Sequence, residues 1–553
     1  MKEGPTKMKS MKKLVTLLLS LVMLCALAMP AMAEGEDAAK TYSITIDKAV
    51  AGHTYTAYQV FDGAYYKGDG TNNTTDGTEY LSDVKWGKDV DGDNILKELY
   101  KNTLLKDSFE GKTSAEDVAY VLQGFKDKSQ QMDEFARVVG NHLSTTDSGK
   151  VTIDQNGTNN KITDLTAGYY FVKDTDSRAI KDGEIATKFL VEVVGNANVT
   201  VKAQAPEFEK KVVNGSADKG TSVNVGDKVA FQLTAKVPDM ASFDDYTFTM
   251  HDTLSEGLTF NADSVKVTVN GTQIHNTAGT SDKYTLTYPI NTESSDTFTI
   301  SFNKDQLKGL VKHTDNTTTF GATIVVEYNA TLNKNALNKD VETNKAYLEY
   351  TNDPSGNGTG TKKTPEAPVY VYDFDLEIAK YDGTNGDTDT DKAKKLSNAI
   401  FVLYKKDGEK VKYYVRNKDT MAVTWTDKLE DATSFTTAEG KTTFTGLKEG
   451  TYYLKETKAP DGYNKLKDPV QVEIKATYNT DGTLNTTAAD CKLTHDADGK
   501  HYYQVQSIAN KAGAVLPSTG GIGTTIFYVL GSILALGAAV LLIAKKRMNG
   551  QDR

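Results

Sequence analysis

Leu165-Thr-Ala-Gly168-Tyr-Tyr-Phe-Val-Lys-Asp174-Thr175 and Leu447-Lys-Glu-Gly450-Thr-Tyr-Tyr-Leu-Lys-Glu456-Thr457 align without a gap, although they lie far apart in one chain of 553 residues. Each opens on a glycine turn, runs through aromatic and β-branched or aliphatic residues that favour strands, and closes on an acid followed by threonine. Upstream, Tyr55-Thr-Ala-Tyr58 echoes Phe401-Val-Leu-Tyr404 in the same way. The repeat marks the first and last parts of the chain as two copies of one β module.

Working outward, Thr41-Tyr-Ser-Ile-Thr-Ile46, Val265-Lys-Val-Thr-Val269, Thr297-Phe-Thr-Ile-Ser-Phe302 and Tyr452-Tyr-Leu-Lys455 recur between Asn, Asp and Gly turns. Alternation of this kind places every second side chain on one face, so the expected fold is all-β: three tandem immunoglobulin-like β-sandwiches. Residues 94–143 depart from it. There Leu96, Leu99, Tyr100, Leu104, Val118, Val121, Leu122, Phe125, Phe135 and Val138 fall at helical spacing, which predicts a helical insertion in the first domain. A different β unit fills about 206–365, and its Gly- and Lys-rich end, 354–365, reads as a trailing linker.

The two ends define where the chain resides. Lys7, Lys9, Lys12 and Lys13 precede an apolar run over 14–29 and the small-residue site Ala31-Met32-Ala33, the order of a secretory signal peptide cleaved after Ala33. Near the other end, Leu516-Pro517-Ser518-Thr519-Gly520 precedes an apolar run over 522–544 and then Lys545-Lys546-Arg547, a bilayer-spanning helix with its positive end in the cytoplasm. The expected division is therefore signal peptide 1–33, first domain 34–203, middle domain 204–366, third domain 367–513 and anchor 514–553.

A net charge of −10 argues against nucleic acid as a partner. Cys25 leaves with the signal peptide, and Cys491 alone forms no internal disulfide. The histidines lie far apart in sequence, and no HExxH, Walker A or GxSxG pattern occurs, so neither a turnover enzyme nor a cofactor or metal site is expected. Asp382, Asn385, Asp387, Asp389 and Asp391 have the composition of a calcium loop but lack its glycine and closing glutamate, and read as a solvated turn.

Some lysines break the alternation in an informative way. Lys380 follows Leu376 and Ile378 on one strand face, Lys210 shares a face with Phe208 and Val212, and Lys48 follows Ile44 and Ile46. An ammonium turned toward a core is costly, and desolvation favours the neutral, nucleophilic amine.

Three resemblances give these positions roles. The order of pentapeptide, spanning helix and basic tail resembles the sorting signal of sortase substrates, which implies cleavage between Thr519 and Gly520 and transfer of the Thr519 acyl group to an amine. The segment Tyr452-Tyr-Leu-Lys-Glu456-Thr457-Lys-Ala459-Pro460-Asp-Gly462-Tyr463 resembles the E-box of collagen-adhesin B-type modules in Gram-positive surface proteins. That resemblance implies an intramolecular isopeptide bond between Lys380 and Asn510 assisted by Glu456; an ordinary buried ion pair, with Asn510 capping a turn, is the alternative. His251-Asp252-Thr253-Leu254 and Thr343-Asn344 resemble the acid- and asparagine-bearing strands of backbone pilins of sortase-assembled pili, implying a second trio of Lys210, Asp252 and Asn344, with a salt bridge as the alternative. In the first domain Lys48, Asp174 and Asn198 (or Asn196) form either a third trio or a surface lysine beside a structural acid, since the Ala-Pro-x-Gly-Tyr continuation is missing there.

The same pilin resemblance places the lysine that receives Thr519 at the end of the first domain, where Lys202 stands without the usual Tyr-Pro pair. It implies a structural shaft subunit with pilus-specific and housekeeping sortases, identical subunits, peptidoglycan, minor pilins and host ligands as partners. A monomeric wall-anchored adhesin is the alternative; a secreted enzyme with accessory sandwiches lacks a catalytic domain.

Overall fold

The computed structural model describes residues 40–71, 75–126, 129–175, 180–201, 206–238, 240, 243, 245–275, 283–289, 294–310, 321–353, 360–386, 392–495, 501–514, 516 and 523–548. The chain is mostly β, in three sandwiches with three separate apolar cores.

The repeat is conserved in the pairing itself. In the first sandwich, strand Tyr42–Asp47 lies between an antiparallel neighbour, Lys161–Leu165, and a parallel one, Ala197–Thr200. In the third, Phe374–Asp382 lies between antiparallel Lys441–Leu447 and parallel Tyr502–Asn510. The opposing sheets match as well. Tyr55 pairs with Asp174 and Tyr58 with Phe171; Phe401 pairs with Glu456 and Tyr404 with Tyr453.

The helical insertion consists of Gly92–Lys101, Lys106–Phe109, Ala115–Leu122 and Gln130–Asn141. Asp91, Ser114 and Ser129 cap three of these by accepting from backbone N–H groups, and Asp117 completes a capping box with Ser114. Leu99, Val118, Leu122, Phe135 and Val138 are buried against the sheet, whereas Tyr100 and Leu104, at 40% and 42% exposure, face solvent beyond the apolar stripe.

In the middle sandwich, one sheet runs Gly220–Ser222, Ala367–Tyr372, Glu342–Thr351, Phe248–Leu254, Phe298–Phe302, Thr285–Thr287. The other runs Thr272–Ile274, Leu258–Val269, Thr323–Leu332, Lys228–Lys236, Phe208–Val213. Two expectations change here. Within the presumed linker, Thr361–Lys363 is a strand paired to Glu342–Thr351; residues 354–359 lie outside the described residues. Ala367–Tyr372 belongs to the middle sheet, so the third domain's own sheet starts at Phe374, after the single residue Asp373.

The domains are bonded to one another. Val423 N–H donates to Val225 O, Val225 N–H to Gly446 O, and Lys448 N–H to the Asn224 side chain, all between middle and third domains. Ala186 N–H donates to Asn352 O and Tyr350 OH to Glu184 O between first and middle domains. The helix Gly523–Met548 contains an 18-residue stretch of mean hydropathy 2.6, and its apolar part from Thr525 to Ala544, before Lys545, Lys546 and Arg547, is about 30 Å long at 1.5 Å per residue, matching a hydrocarbon core of about 30 Å.

Candidate functional site

Strand alternation turns Lys210 and Val212 inward from the edge strand of one middle-domain sheet. Asp252 and Asn344 come from adjacent strands of the facing sheet, where Asp252 pairs with Ala346 and Leu254 with Asn344, so the two are diagonal neighbours on one face. All three side chains are fully buried. Lys210 Nζ donates to Asp252 Oδ2 at 2.7 Å and also contacts Asn344 Oδ1. A residue not picked out by the sequence completes the group. Tyr328 OH donates to Asp252 Oδ2 at 2.6 Å and lies 2.9 Å from both Lys210 Nζ and Asn344 Nδ2. Its alternation with Ile324, Val326, Ala330 and Leu332 marks it only as a core tyrosine. Phe231, Phe260 and Phe298 pack around its ring and keep the site apolar.

Electrostatics follow from that enclosure. Burial pulls Lys210 down to about 8 despite the opposing pull of Asp252, and burial pushes Asp252 upward. Lysine is thus moved toward the free amine and aspartate toward the free acid.

The third-domain residues come together differently. Lys380 on the first strand and Asn510 on the last lie on parallel neighbours, with Lys380 opposite Ile508 and Asp382 opposite Asn510. Glu456 reaches them from the other sheet. Lys380 Nζ is 3.9 Å from Glu456 Oε1 and donates to Ile508 O at 3.1 Å. Asn510 Nδ2 donates to Glu456 Oε2 at 3.1 Å and to Asn464 O at 2.6 Å, and Leu466 N–H donates to the same Glu456 oxygen at 2.8 Å. The segment after Glu456 therefore folds back to hold both acid and amide. Burial pulls Lys380 down to about 8, partly offset by Glu456.

Among its described residues the first domain does not assemble an equivalent. Lys48 is an exposed turn residue with φ of 58°, and Asn198 and Asn196 are exposed, Asn196 accepting from Ser43 N–H at 3.0 Å. Only Asp174 is buried, and its partner is a histidine: His53 Nδ1 lies 2.5 Å from Asp174 Oδ2, with Glu184 Oε2 at 3.2 Å from Nε2. Burial lowers the pKa of the ring, but the two acids outweigh it and hold it above its ordinary value. Of the two first-domain readings, the geometry matches the surface lysine beside a structural acid and not the trio of Lys48, Asp174 and Asn198, with His53 as the acid's partner.

Several expected sites fall outside the described residues: the signal peptide, Lys202, Pro517, Ser518, Thr519, Gly520, and Asp387, Asp389 and Asp391. Leu516 is exposed at 82%. Asp382 is engaged locally, its Oδ1 accepting from Thr384 N–H at 2.9 Å and its Oδ2 from Tyr463 OH at 2.8 Å. Among the described residues Cys491 is a free cysteine.

Comparison with known proteins agrees with both ends of this picture. Residues 383–488 match the SpaA prealbumin-like fold domain, and residues 508–550 match the LPXTG cell wall anchor motif. The chain is 24% identical over 397 residues to the trypsin-resistant surface T6 protein of Streptococcus pyogenes serotype M6, covering 63% of this chain and 70% of that one. Among solved structures, the T6 backbone pilin of the same serotype covers 88% of this chain and 96% of its own at 18% identity and TM-score 0.47. The group B streptococcus pilus 2b backbone protein covers 56% and 99% at 26% identity and TM-score 0.39.

Anchor motif and apolar helix make this chain a cell-wall-anchored surface protein of the LPXTG class, retained in the membrane before sorting. Within that class it carries a SpaA prealbumin-like domain and is similar to the T6 surface protein.

Proposed function

We propose that the chain is the structural shaft subunit of a sortase-polymerised pilus, hardened by two autocatalytic Lys–Asn isopeptide bonds. The observation that carries this reading is the convergence, twice in tandem, of a buried lysine, a buried acid and a buried asparagine from strands that a tensile load would otherwise peel apart.

In each site the neutral amine attacks the side-chain carbonyl carbon of asparagine. The acid stabilises the developing oxyanion and passes a proton to the departing nitrogen, so that a C–N bond forms, a C–N bond breaks and ammonia leaves. The Lys210–Asn344 bond joins the two sheets of the middle domain, and the Lys380–Asn510 bond joins the first and last strands of the third. Each closes a loop of over a hundred residues, stabilising by about 5 kcal/mol if loop entropy acts as it does for a disulfide. The reaction occurs once per site, so the protein is a structural element rather than an enzyme.

A pilus-specific sortase would cleave after Thr519 and transfer its acyl group to Lys202 of the next subunit, and a housekeeping sortase would attach the finished polymer to peptidoglycan. Minor pilins and host ligands are further partners of such a fibre. The deciding experiment is an immunoblot of cell-wall extracts: an SDS-resistant ladder that collapses to monomer without the pilus-specific sortase supports the shaft, whereas monomer in both strains supports a monomeric wall-anchored adhesin.

A further inference from the structure

Asp373 is the residue at which the chain leaves the middle sheet and enters the third-domain sheet, between strands Ala367–Tyr372 and Phe374–Asp382. It is 4% exposed, and Asp375 and His501 close around it. His501, 7% exposed, places Nε2 3.3 Å from Asp375 Oδ1 and 3.6 Å from Asp373 Oδ2. One ligand atom from each residue lies within 4.8 Å of the others.

The other face of the imidazole decides what Nε2 presents. His501 Nδ1 lies 3.2 Å from the carbonyl oxygen of Lys339, a middle-domain residue. A carbonyl only accepts, so Nδ1 carries the proton, and in the neutral ring Nε2 directs its lone pair at two carboxylates. Among the described residues neither His501 Nε2 nor Asp373 Oδ2 has a partner at hydrogen-bond geometry. A carbonyl behind the ring and carboxylates in front of it is the arrangement that orients a metal-bound histidine.

The distances point the same way. A charged N–H···O bond draws its atoms to about 2.7–2.9 Å. Ligands around a tetrahedral ion with bonds of about 2.0–2.1 Å stand about 3.3 Å apart, close to the two separations at His501 Nε2.

We propose that Asp373, Asp375 and His501 form a divalent transition-metal site, fitted to zinc with water as the fourth ligand, that fastens the middle domain to the third. An imidazole among the ligands disfavours calcium and magnesium, which take oxygen ligands. Because Asp373 is the junction residue itself, and Lys339 orients the histidine from the middle domain, a bound ion would resist bending there.

The test is zinc titration of the chelator-stripped protein by calorimetry, with metal content measured after gel filtration and thermal unfolding followed with and without zinc. The expected result is one zinc per chain and an unfolding midpoint raised by several degrees. His501→Ala should lose both, and Asp373→Asn, nearly the same in volume, should weaken affinity by about tenfold or more. His495→Ala, at the neighbouring exposed histidine, should retain both effects. Equal zinc binding by wild type and His501→Ala, or no zinc-dependent shift in wild type, would overturn the site and leave a protonated histidine held between two carboxylates.

Discussion

Lys48 and Lys380 occupy the same register position in two copies of one strand, yet the first is exposed in a turn and the second is buried. Tyr42 pairs with Leu165 and Ile44 with Ile162; Phe374 pairs with Leu447 and Leu376 with Phe444. Counting onward from these matched pairs brings the two lysines to equivalent places. At Lys48 the strand has already ended and φ is 58°, whereas Phe374–Asp382 continues past Lys380. Lys48→Ala should therefore leave both ammonia losses intact and alter stability by no more than about 0.5 kcal/mol. Intact mass and thermal unfolding check this, and a one-ammonia gain in the variant would restore a first-domain bond.

Intact wild-type protein should weigh less than its sequence by two ammonia molecules, about 17 Da each. Glu456→Ala and Asp252→Ala should each regain one, and the double variant both. Peptide mapping would assign the remaining cross-link in each single variant to Lys210–Asn344 or Lys380–Asn510 respectively. Wild type at full unmodified mass would refute both assignments.

Tyr328→Phe should slow or abolish the middle-domain bond while sparing the third. The hydroxyl bonds lysine, acid and amide at once, and its loss leaves a buried Asn344 amide unpaired at a cost of about 1–3 kcal/mol. Time-resolved mass spectrometry after refolding gives the readout; unchanged kinetics would reduce Tyr328 to packing.

Asn510→Ala, which prevents the third-domain bond, exposes the titration of Lys380. Burial lowers the folded-state pKa from 10.5 to about 8, so between those values the unfolded chain binds more protons and stability rises with pH. Denaturant unfolding from pH 7.5 to 10 should show a steeper rise for Asn510→Ala than for Asn510→Ala combined with Lys380→Met. Equal slopes would mean that the ammonium is not desolvated.

In the proposed assembly peptidoglycan attachment would use Thr519 but not Lys202, so Lys202→Ala should abolish the SDS-resistant ladder and leave wall-attached monomer. A ladder of normal length in that strain eliminates Lys202 as the acceptor.

The recurrence of Leu165–Thr175 in Leu447–Thr457 made the duplicated module legible, because a strand's pairing pattern is written in local alternation and glycine turns. Lys210 over Lys211, and Lys380 with its apolar neighbours, were legible for the same reason. Tyr328 was not: its spacing is that of any core tyrosine, and its role comes from two strands in the facing sheet. Between the two first-domain readings the surface lysine holds, because alternation tells which way a side chain points only while the strand continues, and here it stops one residue before Lys48.

The sequence by itself determined export, wall anchoring, the β architecture and the two inward lysines, since each depends on a contiguous run or a fixed period along the chain. Only the tertiary structure decided which residues meet: Tyr328 with Asp252 and Asn344, His53 with Asp174, and His501 with Asp373 and Asp375. Their contacts join strands distant in the chain across sandwich and domain junctions, and no local period encodes that separation.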